Sequence, residues 1–114
     1  MMTVPQLQAY LDNTIEAAEK TIARLTEEMA FDACTVLSMR GDDLSRAAAE
    51  IHVLTRWQSL LGNGVTVEQI KAVALDQILS LSVAIAERPT SSPTGRVVQV
   101  QTLAVWTDLY KRIG

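Results

Sequence analysis

Residues 29–43 read MAFDACTVLSMRGDD, and whether the chain turns back there decides the fold. From Met29 to Met39 the run is apolar nearly all round, the pattern of a helix enclosed on several sides. Gly41 supplies the residue type that ends helices in the left-handed conformation, and Asp42 or Asp43 can cap a helix that follows. The stretch therefore reads as the end of one helix, a corner at 40–43 and the start of another. On this reading the 29–39 run is core, and Cys34 within it is inert packing. Arg40-Gly41-Asp42 also spells an integrin-binding tripeptide, but MMTVPQLQAY does not read as a secretory leader, none is expected, and the corner is the better account.

Toward the N-terminus, Val4, Leu7, Leu11, Ile15, Ala18, Ile22, Leu25, Met29, Ala33 and Leu37 recur every three or four residues. Their mean spacing of about 3.7 is close to the helical 3.6. Thr3 can cap this helix, with Pro5 in the first turn where a missing N–H costs nothing. One helix over 5–40 is expected, about 50 Å long at 1.5 Å per residue; a break near Thr26 is the alternative. Its outer face is charged as far as Glu28, with Asp12, Glu16, Glu19, Lys20, Arg24 and Glu27.

Toward the C-terminus, Leu44, Ala48, Ile51, Leu54, Trp57 and Leu61 form the stripe of a second helix, 43–61. Gly62-Asn63-Gly64 makes a turn and Thr66 a cap, and a third helix runs over 67–88 until Pro89 stops it. The segment RPTSSPTGR is the one stretch with linker composition. The final segment opens on Val97-Val98-Gln99-Val100, which suits a strand. Val100, Leu103, Trp106, Tyr110 and Ile113 keep helical spacing, so a fourth helix over 97–112 is expected. The fold class is all-α, a single-domain four-helix bundle over 1–114 with a long N-terminal helix.

The third helix contains AVALDQILSLSVAIAE, the most apolar stretch of the chain, with Asp76 inside it. Asp76, Gln77 and Ser80, with Lys71 or Glu87, trace a narrow polar strip that is read as the wet line of a nearly buried helix. Asp76, Gln77, Ser80 and Ser82 interrupt the run too often for a bilayer span, so no membrane association is expected. The apolar area exceeds what one small bundle covers, which points to a subunit interface and a homodimer.

Composition narrows the functional classes. Apolar residues make up 48% and aromatics 4%, so the core is built from aliphatic side chains. Ten basic residues against thirteen acidic ones give a net charge of −3, the wrong sign for a protein that binds nucleic acid through phosphate. One cysteine allows no intramolecular disulfide, and a reducing, cytoplasmic setting is expected. His52 is the single histidine, which rules out a multi-histidine metal site, and it reads as a half-exposed structural residue. No glycine-rich phosphate loop, catalytic triad or cofactor motif is present, and no metal is expected.

Two short resemblances arise. LLGNGVTVEQIKAVAL resembles the turn of a helix-turn-helix, but the following helix offers Lys71 beside Glu68 and Asp76 on an apolar surface. A recognition helix needs polar or basic side chains there, so a plain helix–helix corner is the better reading. Glu16-x-x-Glu19 resembles half of the metal motif of all-α nucleotide pyrophosphohydrolases. The second acidic pair those enzymes need on the next helix is missing, and a solvated charged face is the better reading.

The functional expectation is a non-enzymatic interaction module, a small regulator or inhibitor that occupies the surface of a partner protein, of the antiactivator or phage-inhibitor type. Its candidate partner-binding residues are Glu16, Glu19, Glu27 and Glu28. The alternatives are a small helical enzyme with a metabolite pocket at a dimer interface, using Arg46, Glu50, His52 and Arg56, and a structural subunit of a larger assembly.

Overall fold

A straight helix of 59 residues would be about 88 Å long, yet the whole molecule measures 43 × 35 × 20 Å. The structure, a computed structural model, describes residues 2–87 and 93–114. They form three helical elements and no strand: α1 (Val4–Gly62), α2 (Val67–Glu87) and α3 (Pro93–Ile113). The all-α class holds. The count of four does not, because the first two expected helices run on as one element that is broken twice, at Asp32 (φ −153°, ψ 81°) and Arg40 (φ −129°, ψ 16°). These breaks fold α1 into two antiparallel arms. Gln58 donates to the Asp12 carboxylate across 46 positions of sequence, and Leu7, Leu11 and Ile15 share a core with Val53, Leu54, Trp57 and Leu61.

The corner is therefore built differently from its sequence reading. Gly41 is helical and does not adopt a positive φ. Asp32 makes the first break: its carboxylate accepts from the Thr35 amide at 3.1 Å and from the Thr35 hydroxyl at 2.5 Å. That is an N-cap placed inside an apolar run, satisfying an amide the next turn leaves free. The break also shifts the helical phase. Val36 is buried where Leu37 was expected, while Ala33 and Leu37 are exposed.

Elsewhere the caps form as the residues suggest. Thr3 and Gln6 make a reciprocal capping box at the start of α1, and Thr66 with Gln69 makes another at the start of α2. Gly64 has φ +94°, the left-handed conformation that favours glycine. The Val97–Val100 segment is helical. The expected stop at Pro89 lies outside the described residues.

The core sits at one end of the molecule, called here the base. Both ends of the chain lie there, since the Met2 amide donates to the Ile113 carbonyl at 2.9 Å. Leu7, Leu11, Leu54, Ile70, Leu109 and Ile113 are completely shielded, each contributing roughly 1.5–3 kcal/mol of apolar burial. Trp57 and Trp106 meet edge to face, centroids 6.0 Å apart. Away from the base the arms of α1 stay closed over Ala18, Leu25, Val36 and Ala47. By contrast, α2 has no buried residue beyond Ala74, and among the described residues α3 has none before Val105.

The stripe expected for the second helix holds at Leu54, Trp57 and Leu61, which are buried, and is rotated only in its first half. Ala48 is exposed and Leu44 and Ile51 are half-buried, whereas Ala47, Ala49 and Val53 are buried. The second arm packs against both the first arm and α3, and those neighbours, not the richest apolar line, set its inward face. In α3, likewise, Val105 and Leu109 are buried while Val100 is 43% exposed.

Candidate interaction surfaces

Four residues proposed as one pocket fall into two. Arg46 and Glu50 stand one turn apart on the second arm of α1, facing Asp108 of α3 and Tyr10 of the first arm across an open cleft of 530 Å³. The Arg46 guanidinium donates to the Asp108 carboxylate. Its Nε is 3.8 Å from Glu50, too far for a hydrogen bond, and is buried without an acceptor. Burial pushes the Glu50 carboxyl up; Arg46 opposes that shift and Asp108 adds to it. Burial is also the main reason the Tyr10 phenol is raised, with Asp108 and Glu50 reinforcing it. The cluster joins three helical segments by charge.

His52 and Arg56 lie on another side of the same arm, because six residues amount to about 600° of helical rotation. They line a separate cleft of 460 Å³ with Val53, Trp57, Val73, Gln77, Thr102 and Trp106. Arg56 stacks 6.0 Å from the Trp57 ring. His52 itself is exposed rather than half-exposed.

The acidic residues Glu16, Glu19, Glu27 and Glu28 are all exposed on the first arm. Glu16 pairs with Lys20 at 3.1 Å in a solvated contact worth little. Beyond them lies the apex, residues 31–40, which the sequence reading placed in the core. Phe31 is 90% exposed, Met39 78% and Leu37 53%, and Cys34 is exposed as well. The physical reason is the pair of breaks at Asp32 and Arg40, which carries this segment around the turn between the two arms. The signal for it was Asp32 three residues ahead of Thr35, a capping pattern inside an apolar run.

Asp76 is exposed, and the helix around it has two apolar faces. One carries Ile70, Ala74, Ile78, Leu81 and Ile85 toward the rest of the molecule. The other carries Leu75, Leu79 and Val83 at 41%, 59% and 52% exposure. By length and composition alone α2 is long and apolar enough to cross a membrane, despite the interruptions noted above. Lys71, near its start, is held by the Gly114 carbonyl and lies 5.3 Å from the Tyr110 ring.

Among the described residues no three His, Cys, Asp or Glu side chains gather as metal ligands would. Comparison with known proteins finds no matching family, no similar curated protein and no matching solved structure.

Proposed function

We propose that this protein is a non-enzymatic interaction module, a small regulator or inhibitor that works by occupying the surface of a partner protein. The observation that carries the reading is the apex, where an aromatic ring 90% exposed to water follows directly on the acidic arm. Glu27 and Glu28 precede Phe31 by four and three residues, so on the helix they flank it. An exposed aromatic anchor bordered by charge is the usual composition of an interface centre and its rim. The partner is then a protein with an apolar pocket for Phe31 and Met39 and a basic border for Glu16, Glu19, Glu27 and Glu28, in a reducing, cytoplasmic setting. With its two α1 arms taken as separate packing units, the frame is a four-helix bundle whose long first member carries the acidic face.

The test is capture of partners from a lysate of the source organism, using tagged wild type and two variants. Phe31→Ala removes the anchor; Glu16→Lys, Glu19→Lys, Glu27→Lys and Glu28→Lys together reverse the rim. A stoichiometric partner lost with both variants, each retaining native helicity, supports the reading. A partner retained by both moves the binding surface elsewhere and overturns it.

A further inference from the structure

We infer that the outer face of α2 is the interface of a two-fold symmetric dimer, in which α2 packs antiparallel against α2 of a second copy with Leu79 on the axis. The proposal goes beyond the reading above and uses a different face of the molecule.

Self-complementarity is the first support. The outer face runs Ala72, Leu75, Leu79, Val83, Ala86, and all five residues are exposed. Their spacings are 3, 4, 4 and 3, so the line has the same spacing and the same order of small, large and small residues in either direction. A two-fold contact brings one patch against itself, and each residue meets the one equally far beyond the axis. Leu79 then meets Leu79, Leu75 lies level with Val83, and Ala72 lies level with Ala86. The alanine pairs at both ends let the helices approach, and the larger side chains fill the centre. At 100° per residue the five positions span an arc of about 80°, with Asp76, Ser80 and Glu87 together along one border.

Surface area is the second support. A compact monomer of 12.5 kDa exposes about 6,200 Å², whereas this chain exposes 7101 Å². The excess of about 900 Å² over the whole molecule is comparable with the ~800 Å² each partner contributes to a stable interface of standard size, and the outer face of α2 shares it with the apex. The radius of gyration agrees in sense, 15.3 Å against about 13 Å for a compact chain of this length.

A bilayer would also cover apolar surface, and α2 has the length. The opposite face of this helix is committed, however: Ile70 and Ala74 are fully shielded in the base core, and Lys71 is tied to Gly114 and Tyr110. Moving α2 into lipid would dismantle that core. A second copy covers the outer face and leaves the inner one in place.

The experiment is sedimentation of the whole chain at micromolar concentration, in the wild type and in Leu79→Glu and Leu79→Lys. Leu79 is 59% exposed, so neither variant should disturb the folded chain, which circular dichroism verifies. The wild type is expected at twice the chain mass. Each variant alone is expected at 12.5 kDa, since each places like charges on the axis, and an equimolar mixture should recover the dimer. Register is then read in a Cys34→Ser background. Leu79→Cys should cross-link to itself on oxidation, Ala72→Cys should not, and Ala72→Cys mixed with Ala86→Cys should. A monomeric wild type, a dimer indifferent to Leu79→Glu, self-linking of Ala72→Cys, or binding to neutral phosphatidylcholine vesicles in place of dimerisation would each overturn the proposal. Charge reversal on the acidic arm leaves this dimer unchanged, so the two readings fail separately.

Discussion

The base and the far end of this molecule are made of the same kinds of residue and meet water in opposite ways. At the base, Leu7, Ile70, Leu109 and Ile113 are wholly shielded. At the far end, Phe31, Leu37, Met39, Leu79 and Val83 are more than half exposed. Hydrophobicity alone does not decide between these fates; the number of elements that converge does. Both arms of α1 and the ends of α2 and α3 meet at the base, whereas among the described residues the apex and the distal half of α2 each lack a neighbour on one side.

The contrast breaks most sharply under truncation. Trp106→Ala in the base should cost about 3–5 kcal/mol and Leu109→Ala about 2–5 kcal/mol, measured by urea denaturation. Leu79→Ala, the same change of side chain as at Leu109, should stay within about 0.5 kcal/mol when the chain is dilute enough to be monomeric. Equal losses at Leu109 and Leu79 would erase the distinction between the two regions.

Glycine gives the next largest effect, and of opposite sign in the two regions. Gly64 at the base has φ +94° with open space where a Cβ would sit, so Gly64→Ala should destabilise by about 1 kcal/mol through backbone strain alone. Gly41, beside the apex, is helical with equally open space. Gly41→Ala should therefore raise stability by about 0.5–1 kcal/mol.

Two titrations sharpen the comparison with smaller shifts. Accepting from the Thr35 hydroxyl and amide holds the exposed Asp32 carboxyl below its usual value of 3.8. A lowered acid pKa stabilises above the unfolded value and is lost as pH falls through the folded one. Protection of the Thr35 amide, taken relative to its intrinsic exchange rate at each pH, should therefore fall below about pH 3.8, the ordinary aspartate value, ahead of protection at Leu109. Glu50 behaves oppositely: its carboxyl is raised, so its ionisation opposes folding as pH rises above the ordinary glutamate value of 4.5. Glu50→Gln should give a slightly higher melting temperature at pH 7 and no change at pH 4.

What the sequence revealed follows the same division. The N-caps at Thr3 and Thr66, the Gly64 turn and the stripe Leu7–Leu11–Ile15–Ala18–Leu25 were readable, because each depends on residues within one or two turns of one another. The apex was not, since an all-apolar helical run looks alike whether it is enclosed or stranded; only the Asp32-to-Thr35 contact tells them apart. The inward faces of the second arm and α3 are legible near the base, at Leu54, Trp57, Leu61, Trp106 and Ile113, and not farther out, for another reason. Periodicity shows that a helix has an apolar side but not which neighbour covers it: Val53 is inward beside Trp106 of α3, and Ala47 where the arms of α1 close. The separation of Arg46 and Glu50 from His52 and Arg56 is legible from helical angle and invisible to residue chemistry.

The hydrogen bond from Met2 to the Ile113 carbonyl has a consequence for the order in which the fold assembles. The base core joins Leu7 and Leu11 to Leu109 and Ile113, so it cannot close until residue 113 has left the ribosome. Contacts this distant in sequence slow the folding of a helical chain relative to a bundle of sequential hairpins. While synthesis continues, the α1 arms pair early but keep an uncovered apolar seam, the period in which a chaperone would meet this protein.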